Sequence, residues 1–208
     1  MAWQGVFFDF DGVIVDSVPV KTEAFARMFR GFGPEIEAQV VAHHLAHGGV
    51  SRFVKFRYYY EELLHKAVGE DELARLGREF SQMVRQGVLT APLIPGALES
   101  LAILHWKRVP AFVVSGTPCE EVRDIVEARG LVHWFMEVHG SPLPKHVLLR
   151  GLQARYRLAP SACLMIGDAM TDYHAATATD TCFLGIVPQG QASPFPPDTP
   201  VSAVVSIP

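Results

Sequence analysis

The sequence predicts an α/β protein: a parallel sheet core with an all-helical module inserted after the first strand. Three observations carry this. After Pro95, short apolar runs alternate with helical patterns, as expected of a parallel sheet wrapped on both faces. Before it, about 70 residues show only helical periodicity, too long a stretch for a crossover. Finally, polar clusters fall at the carboxyl ends of the predicted strands, at Asp9/Asp11, Ser115–Thr117 and Asp168/Asp172. Sheets of this type bind ligands there.

The first strand is predicted over Trp3–Phe8, where Val6, Phe7 and Phe8 are strong strand formers. Asp9 and Asp11 follow it at once. Buried and unpaired, each carboxylate would cost several kcal/mol, so a metal or cationic side chains must wait for them. Gly12 permits a tight turn. After Ser17, Val20, Ala24, Phe25, Met28 and Phe29 share one helical face that ends near Gly31–Gly33. A second helix is expected over Pro34–Leu45. His43, His44 and His47 then lead into Gly48-Gly49-Val50-Ser51-Arg52, a glycine break with a basic rim. An aromatic helix is expected over Arg52–His65 and another over Asp71–Val88. Residues 17–90 are therefore read as a helical cap, and residues 1–16 with 91–208 as the core.

Pro92–Pro95 marks the return to the core. The predicted order is then helix Gly96–His105, strand Val109–Val114 and helix Cys119–Arg129, with Pro118 at its start and Gly130 closing it. A short strand Met136–His139, helix Lys145–Tyr156, strand Ala162–Ile166, helix Thr171–Thr177, strand Thr181–Val187 and a last short strand Val201–Val205 complete the chain. The result is a Rossmann-like core.

The chain has 208 residues, enough for one large or two small domains. It is 49% hydrophobic and 19% charged, with a net charge of −4, which leaves no basic footprint for nucleic acid. No apolar run is long enough to span a bilayer, and no basic-then-apolar leader opens the chain. A cytoplasmic protein with no nucleic-acid or membrane partner is expected. The sequence carries no signal for oligomeric state. Cys119, Cys163 and Cys182 lack metal-type spacing and read as reduced thiols. The nine histidines lack a zinc pattern.

Asp9 and Asp11 are two apart, so on a regular strand both point to one side and repel unless a cation intervenes. Asp168 and Asp172 lie four apart across a turn into a helix. Oxygen donors of this kind suit Mg²⁺. A calcium loop fails because Val20 stands where a bidentate Glu belongs. Ser115, with Gly116 and Thr117 before a helix, reads as an anion site or as a plain helix cap. Lys145, between Pro144 and a helix, reads as a site cation or as a solvated surface charge.

The ordered set Asp9-Phe10-Asp11-Gly12-Val13, Ser115, Lys145 and Gly167-Asp168-Ala169-Met170-Thr171-Asp172 resembles the haloacid dehalogenase-like hydrolase superfamily. The insert resembles the cap of its phosphoglycolate phosphatase and β-phosphoglucomutase subgroup. The resemblance implies a Mg²⁺-dependent phosphatase acting on a small phosphorylated metabolite. It makes Asp9 the nucleophile and Asp11 the general acid and base, which requires a raised Asp11 pKa. Ser115 and the Gly116 N–H would hold phosphate oxygens, and Lys145 would neutralise charge between Asp9 and the phosphate. Asp9, the Asp11 carbonyl, Asp168 and Asp172 would hold the metal. Asp11 argues against dehalogenation. Ser17 and Lys21 stand where the mutases carry Thr and a cap His, which favours a phosphatase over a sugar-phosphate mutase or a non-catalytic phospho-ligand sensor. The third motif has Lys145-His146 in place of the usual Lys-Pro. In the cap, Arg52 and Lys55 are expected to meet the substrate, Arg52 binding an anionic or hydroxylated part of it or else pairing with Glu61 or Glu62.

Overall fold

The computed structural model describes residues 3–207. Strands β1 (Gly5–Phe8), β2 (Ala111–Pro118), β3 (Glu137–Ser141), β4 (Cys163–Gly167), β5 (Cys182–Ile186) and β6 (Val201–Ser202) form one sheet in the order β3-β2-β1-β4-β5-β6. Every pairing is parallel. Strand β1 is central, with Phe8 opposite Val113 on one side and Ile166 on the other. The order reverses between β1 and β4, which is where a crevice opens at the strands' carboxyl ends.

Alternation along β1 explains how both faces are covered. Val6 and Phe8 belong to the core that includes Leu101 and Leu104 of α5 (Ala97–Lys107) and Val122 and Ile125 of α6 (Cys119–Ala128). Phe7 faces the other way. It stacks on Phe112 at 5.1 Å and packs with Leu148, Leu149 and Leu152 of α7 (Lys145–Tyr156) and Ala176 of α8 (Met170–Thr177). Burying rings of this size stabilises the fold by about 2–3 kcal/mol each.

The insert consists of α1 (Val18–Phe29), α2 (Pro34–Ala46), α3 (Arg52–Tyr58) and α4 (Glu70–Thr90). Phe25, Phe29, Phe56, Tyr59 and Phe80 fill its centre, with Phe25 and Phe80 centroids 4.4 Å apart. The single helix expected over Arg52–His65 is divided. After Tyr58 the chain widens into a π-helical turn, Tyr59–Leu63. The wider turn lets the adjacent Tyr59 and Tyr60 both meet Phe29, at 5.1 and 6.1 Å.

Two connectors run side by side where the insert leaves and returns. Asp16 N donates to Pro92 O (2.9 Å), and Ile94 N donates to Ile14 O (3.0 Å). Strand β2 runs past the expected Val114 to Pro118. At the other end of the chain, β6 stops at Ser202 rather than Val205. Val205 turns instead to α5, taking a hydrogen bond from Ser100 Oγ (3.1 Å) and giving one to Pro95 O (2.8 Å). Among the described residues no helix is long and apolar enough to cross a membrane.

Candidate active site

The crevice beside β1 collects the aspartates. Asp9 continues β1 by one residue, its N–H donating to Ile166 O at 2.9 Å. Its Oδ1 accepts from Phe10 N (2.6 Å) and its Oδ2 lies 2.7 Å from Lys145 Nζ. Lys145 opens α7 and reaches back under the sheet end, where Asp172 Oδ1 also meets it at 2.6 Å. Asp172 is fully buried on the first turn of α8, and its Oδ2 accepts from Ala169 N at 3.2 Å. Gly12 and Gly167 make room. A Cβ on Gly12, which has φ +76°, would strike the Asp168 carboxylate, and one on Gly167 would strike Asp172.

Carboxylate oxygens of Asp9, Asp168 and Asp172 all lie within 4.8 Å of one another. Three such groups around one lysine leave negative charge uncancelled. Burial, then repulsion from Asp9 and Asp172, drives Asp168 well above the ordinary carboxylate range. Burial, then repulsion from Asp9, lifts Asp172 to about 7 even against Lys145. Burial works against the charge on Lys145, but Asp172 and Asp9 outweigh it and hold the amine above the usual lysine range. A hard divalent cation fits this donor set, because it would relieve the repulsion that now raises Asp168 and Asp172.

Asp11 departs from expectation. Its side chain is not in the carboxylate cluster with Asp9. Beyond the end of β1 the chain turns through Gly12, and strand geometry no longer applies. Ser17 Oγ donates to Asp11 Oδ1 (2.5 Å), while Lys21 Nζ (2.5 Å) and Thr117 Oγ1 (2.8 Å) donate to Oδ2. Burial opposes ionisation, but Lys21, Ser17 and Thr117 outweigh it, and the Asp11 pKa falls to about 2. The raised value expected of a ready general acid is therefore corrected: in this state Asp11 is a carboxylate.

Ser115 is buried within the carboxyl-terminal half of β2, where the register shifts, and its Oγ accepts from Thr117 N at 3.1 Å, so the hydroxyl also braces its own strand. Gly116 lines a cavity of about 150 Å³ together with Asp9, Asp11, Asp168, Lys21, Thr117 and the insert's Gly48–Val50. Ser115 borders an adjoining cavity of about 240 Å³ with Gly116 and Lys145. The insert loop borders both cavities through Gly49 and Val50. Thr171 Oγ1 donates to Gly48 O (3.0 Å), and Gly49 lies against Gly116.

Arg52 and Lys55 both line the first cavity. Arg52 is paired with neither Glu61 nor Glu62. It meets Glu121 of α6 at 2.6 Å, a partner 69 positions away that no local pattern reveals. The contact of Lys21 with Asp11 and Thr117 is likewise tertiary and not given by pattern. Lys21 sits on the α1 face that meets the core, and its presence at the mutases' histidine position was the available signal.

Comparison with known proteins agrees with this geometry. A sequence profile of the haloacid dehalogenase-like hydrolases matches residues 3–180. The phosphoglycolate phosphatase of Photobacterium profundum is 27% identical over 190 residues, covering 87% of this chain and 82% of its own. That of Aliivibrio fischeri is 27% identical over 182 residues, covering 83% and 79%. Among solved structures, a predicted phosphoglycolate phosphatase from Haemophilus somnus superposes with a TM-score of 0.69 at 22% identity, covering 89% of this chain and 85% of that one. The β-phosphoglucomutase of Clostridium difficile gives 0.71 at 18% identity, with coverage of 90% and 85%, a likeness of fold. With the motif residues gathered at one crevice and the profile spanning most of the chain, the protein belongs to the haloacid dehalogenase-like hydrolases.

Proposed function

We propose that this phosphatase hydrolyses a small phosphorylated metabolite, a phosphoglycolate-like acid or a sugar phosphate, in two steps on Asp9. One observation carries the reading: Lys145 bridges Asp9 and Asp172 beside Asp168, at 2.7 and 2.6 Å. A carboxylate can attack a phosphoryl group only where anion–anion repulsion is cancelled. The division is a cap of residues 17–90 over a core of residues 1–16 and 91–208.

In the first step an Asp9 oxygen attacks phosphorus, and the ester P–O bond breaks as the Asp9 O–P bond forms. The departing alkoxide takes a proton from Asp11. In the second step a water gives a proton to Asp11 and attacks phosphorus, and the Asp9 O–P bond breaks to release phosphate. Asp11 is poised as the base of that second step. Its acid role requires Lys21 to withdraw, because the ion pair opposes protonation. Ser115 and the Gly116 N–H bind phosphoryl oxygens, and Lys145 balances their charge. Asp9, Asp168 and Asp172, with the Asp11 carbonyl, would hold Mg²⁺, which supplies Lewis-acid charge at those oxygens. The closed insert loop excludes water from the first step.

The test is phosphate release from p-nitrophenyl phosphate and a panel of sugar and acid phosphates, with Mg²⁺ and with EDTA. EDTA and Asp9→Asn should each reduce release by about 10³-fold or more. No release from the wild type, or equal release from Asp9→Asn, sinks the reading. Isomerised product without free phosphate makes the protein a mutase.

A further inference from the structure

Three cations of the insert border the cavity: Lys21, Arg52 and Lys55. Two are committed. Lys21 holds Asp11 and Thr117, and Arg52 holds Glu121 and Ser81. Lys55 differs. It is 2% exposed, and among the described residues no carboxylate pairs with it. Its Nζ lies 2.9 Å from His44 Nδ1 and 3.3 Å from His44 O. An ammonium carries three N–H donors and no acceptor. His44 takes two of them; the third has no oxygen or nitrogen acceptor among the described residues, and the Phe25 ring centroid lies 5.7 Å from Nζ.

His44 extends the same logic. Because the ammonium only donates, Nδ1 must accept, and the neutral ring carries its hydrogen on Nε2. Among the described residues, His44 Nε2 is the one buried side-chain nitrogen or oxygen without a hydrogen-bond partner. His44 itself lines the cavity. Leaving such a donor unmet costs about 1–3 kcal/mol, and an unpaired buried ammonium costs more. Burial, then repulsion from Lys21, lowers the Lys55 pKa to about 7, with Asp168 and Asp11 opposing. Burial, then Lys55, holds His44 neutral, at about 3. Phe25 and Phe80 form apolar walls alongside.

We propose that Lys55, held in place by His44, is the specificity residue for the end of the substrate remote from phosphorus, and that it selects a carboxylate there. This rests on the phosphatase reading above. A carboxylate offers only acceptors, so it satisfies the free Lys55 N–H and cancels the buried charge. A sugar presents hydroxyl groups that also need acceptors. The carboxylates in this cavity, Asp9, Asp11 and Asp168, are engaged at the phosphoryl end.

The probes are 2-phosphoglycolate and ethyl phosphate, which differ by carboxylate against methyl. Binding is measured by calorimetry with Mg²⁺ on Asp9→Asn, which does not turn over. The expected preference for the carboxylated ester is about 30-fold, the value of one charge-assisted hydrogen bond with its ion pair. Adding Lys55→Met should cut it below about 3-fold, whereas Lys55→Arg, which keeps the charge, should hold it above about 10-fold. If Lys55→Met does not fold, the His44→Phe variant, which deletes both ring nitrogens, should also bring the preference below about 10-fold. Equal affinity for the two esters in Asp9→Asn, or a preference that survives Lys55→Met, overturns the proposal. A preference found in a protein whose wild type releases no phosphate supports the specificity site and removes only the hydrolytic reading.

Discussion

Arg52 on α3 and Glu121 on α6 form a two-pronged ion pair across the seam between the helical insert and the sheet core, at 2.6 and 3.0 Å. Ser81 Oγ accepts from Arg52 (2.8 Å) and donates to Glu121 (2.5 Å), and the guanidinium lies 4.6 Å over the Phe80 ring. The side chains are only 5% and 19% exposed. Removing one partner of a nearly dry pair strands the other charge, at a cost of about 3 kcal/mol. Glu121→Ala should therefore lower Tm by about 6–12 °C. Glu61→Ala, which breaks the exposed pair with Arg57, should change stability by less than about 1 kcal/mol. Melting curves of the two variants decide it. A drop below about 2 °C for Glu121→Ala removes the pair as a latch.

The crowded carboxylates give stability a pH dependence that Mg²⁺ should reverse. Asp172 has a folded-state pKa of about 7 against an ordinary 3.8, and Asp168 is displaced in the same direction. Between these values the two carboxyls bind more protons in the folded chain than in the unfolded one, so their contribution to metal-free stability falls as pH rises from about 4 to about 7, while His43 and His44, held below their ordinary range, contribute in the opposite direction. Mg²⁺ competes with those protons, so it should raise Tm more at pH 8 than at pH 5. Thermal melts in EDTA and in Mg²⁺ at both pH values test this. An equal Mg²⁺ effect at the two pH values counts against Asp168 and Asp172 as its ligands.

Legibility in the sequence followed the range of the interaction. Asp9, Lys145, Asp168 and Asp172 were readable because each sits at a strand end or helix start, where a buried charge has a short list of reasons to be. The sheet was readable because Val6–Phe8, Val113–Val114 and Leu164–Ile166 are apolar without a break, as strands buried on both faces must be. The direction of the Asp11 pKa was not legible because its environment is made by Lys21 and Thr117, 10 and 106 positions away. Spacing of two along a strand says nothing once the strand has ended. Arg52–Glu121 and Lys55–His44 are tertiary contacts between elements whose own patterns are already satisfied by apolar faces. The π-turn at Tyr59 arises from packing two neighbouring tyrosines against one phenylalanine, which a 3.6-residue period cannot foresee.

Gly116 tests whether closure of the insert over Asp9 is part of the work. A Cβ there would strike the Gly49 carbonyl, whose carbon would be only 2.9 Å away. The obstacle is backbone, not the end of a flexible side chain, so alanine must lift the loop bearing Gly48 and Gly49 away from the site. Thr171 Oγ1 would then lose Gly48 O, and water would reach Asp9. Gly116→Ala should lower kcat by about 10-fold or more, with little change in Tm, because the loop displaced is an edge of the insert and not its aromatic centre. Gly151→Ala is the control. It lies within α7 with no heavy atom within 4 Å of the new Cβ, and should raise stability by up to about 1 kcal/mol at unchanged rate. If Gly116→Ala turns over as fast as Gly151→Ala, tight contact between the Gly49 and Gly116 backbones is not needed for phosphoryl transfer, and the loop serves binding alone.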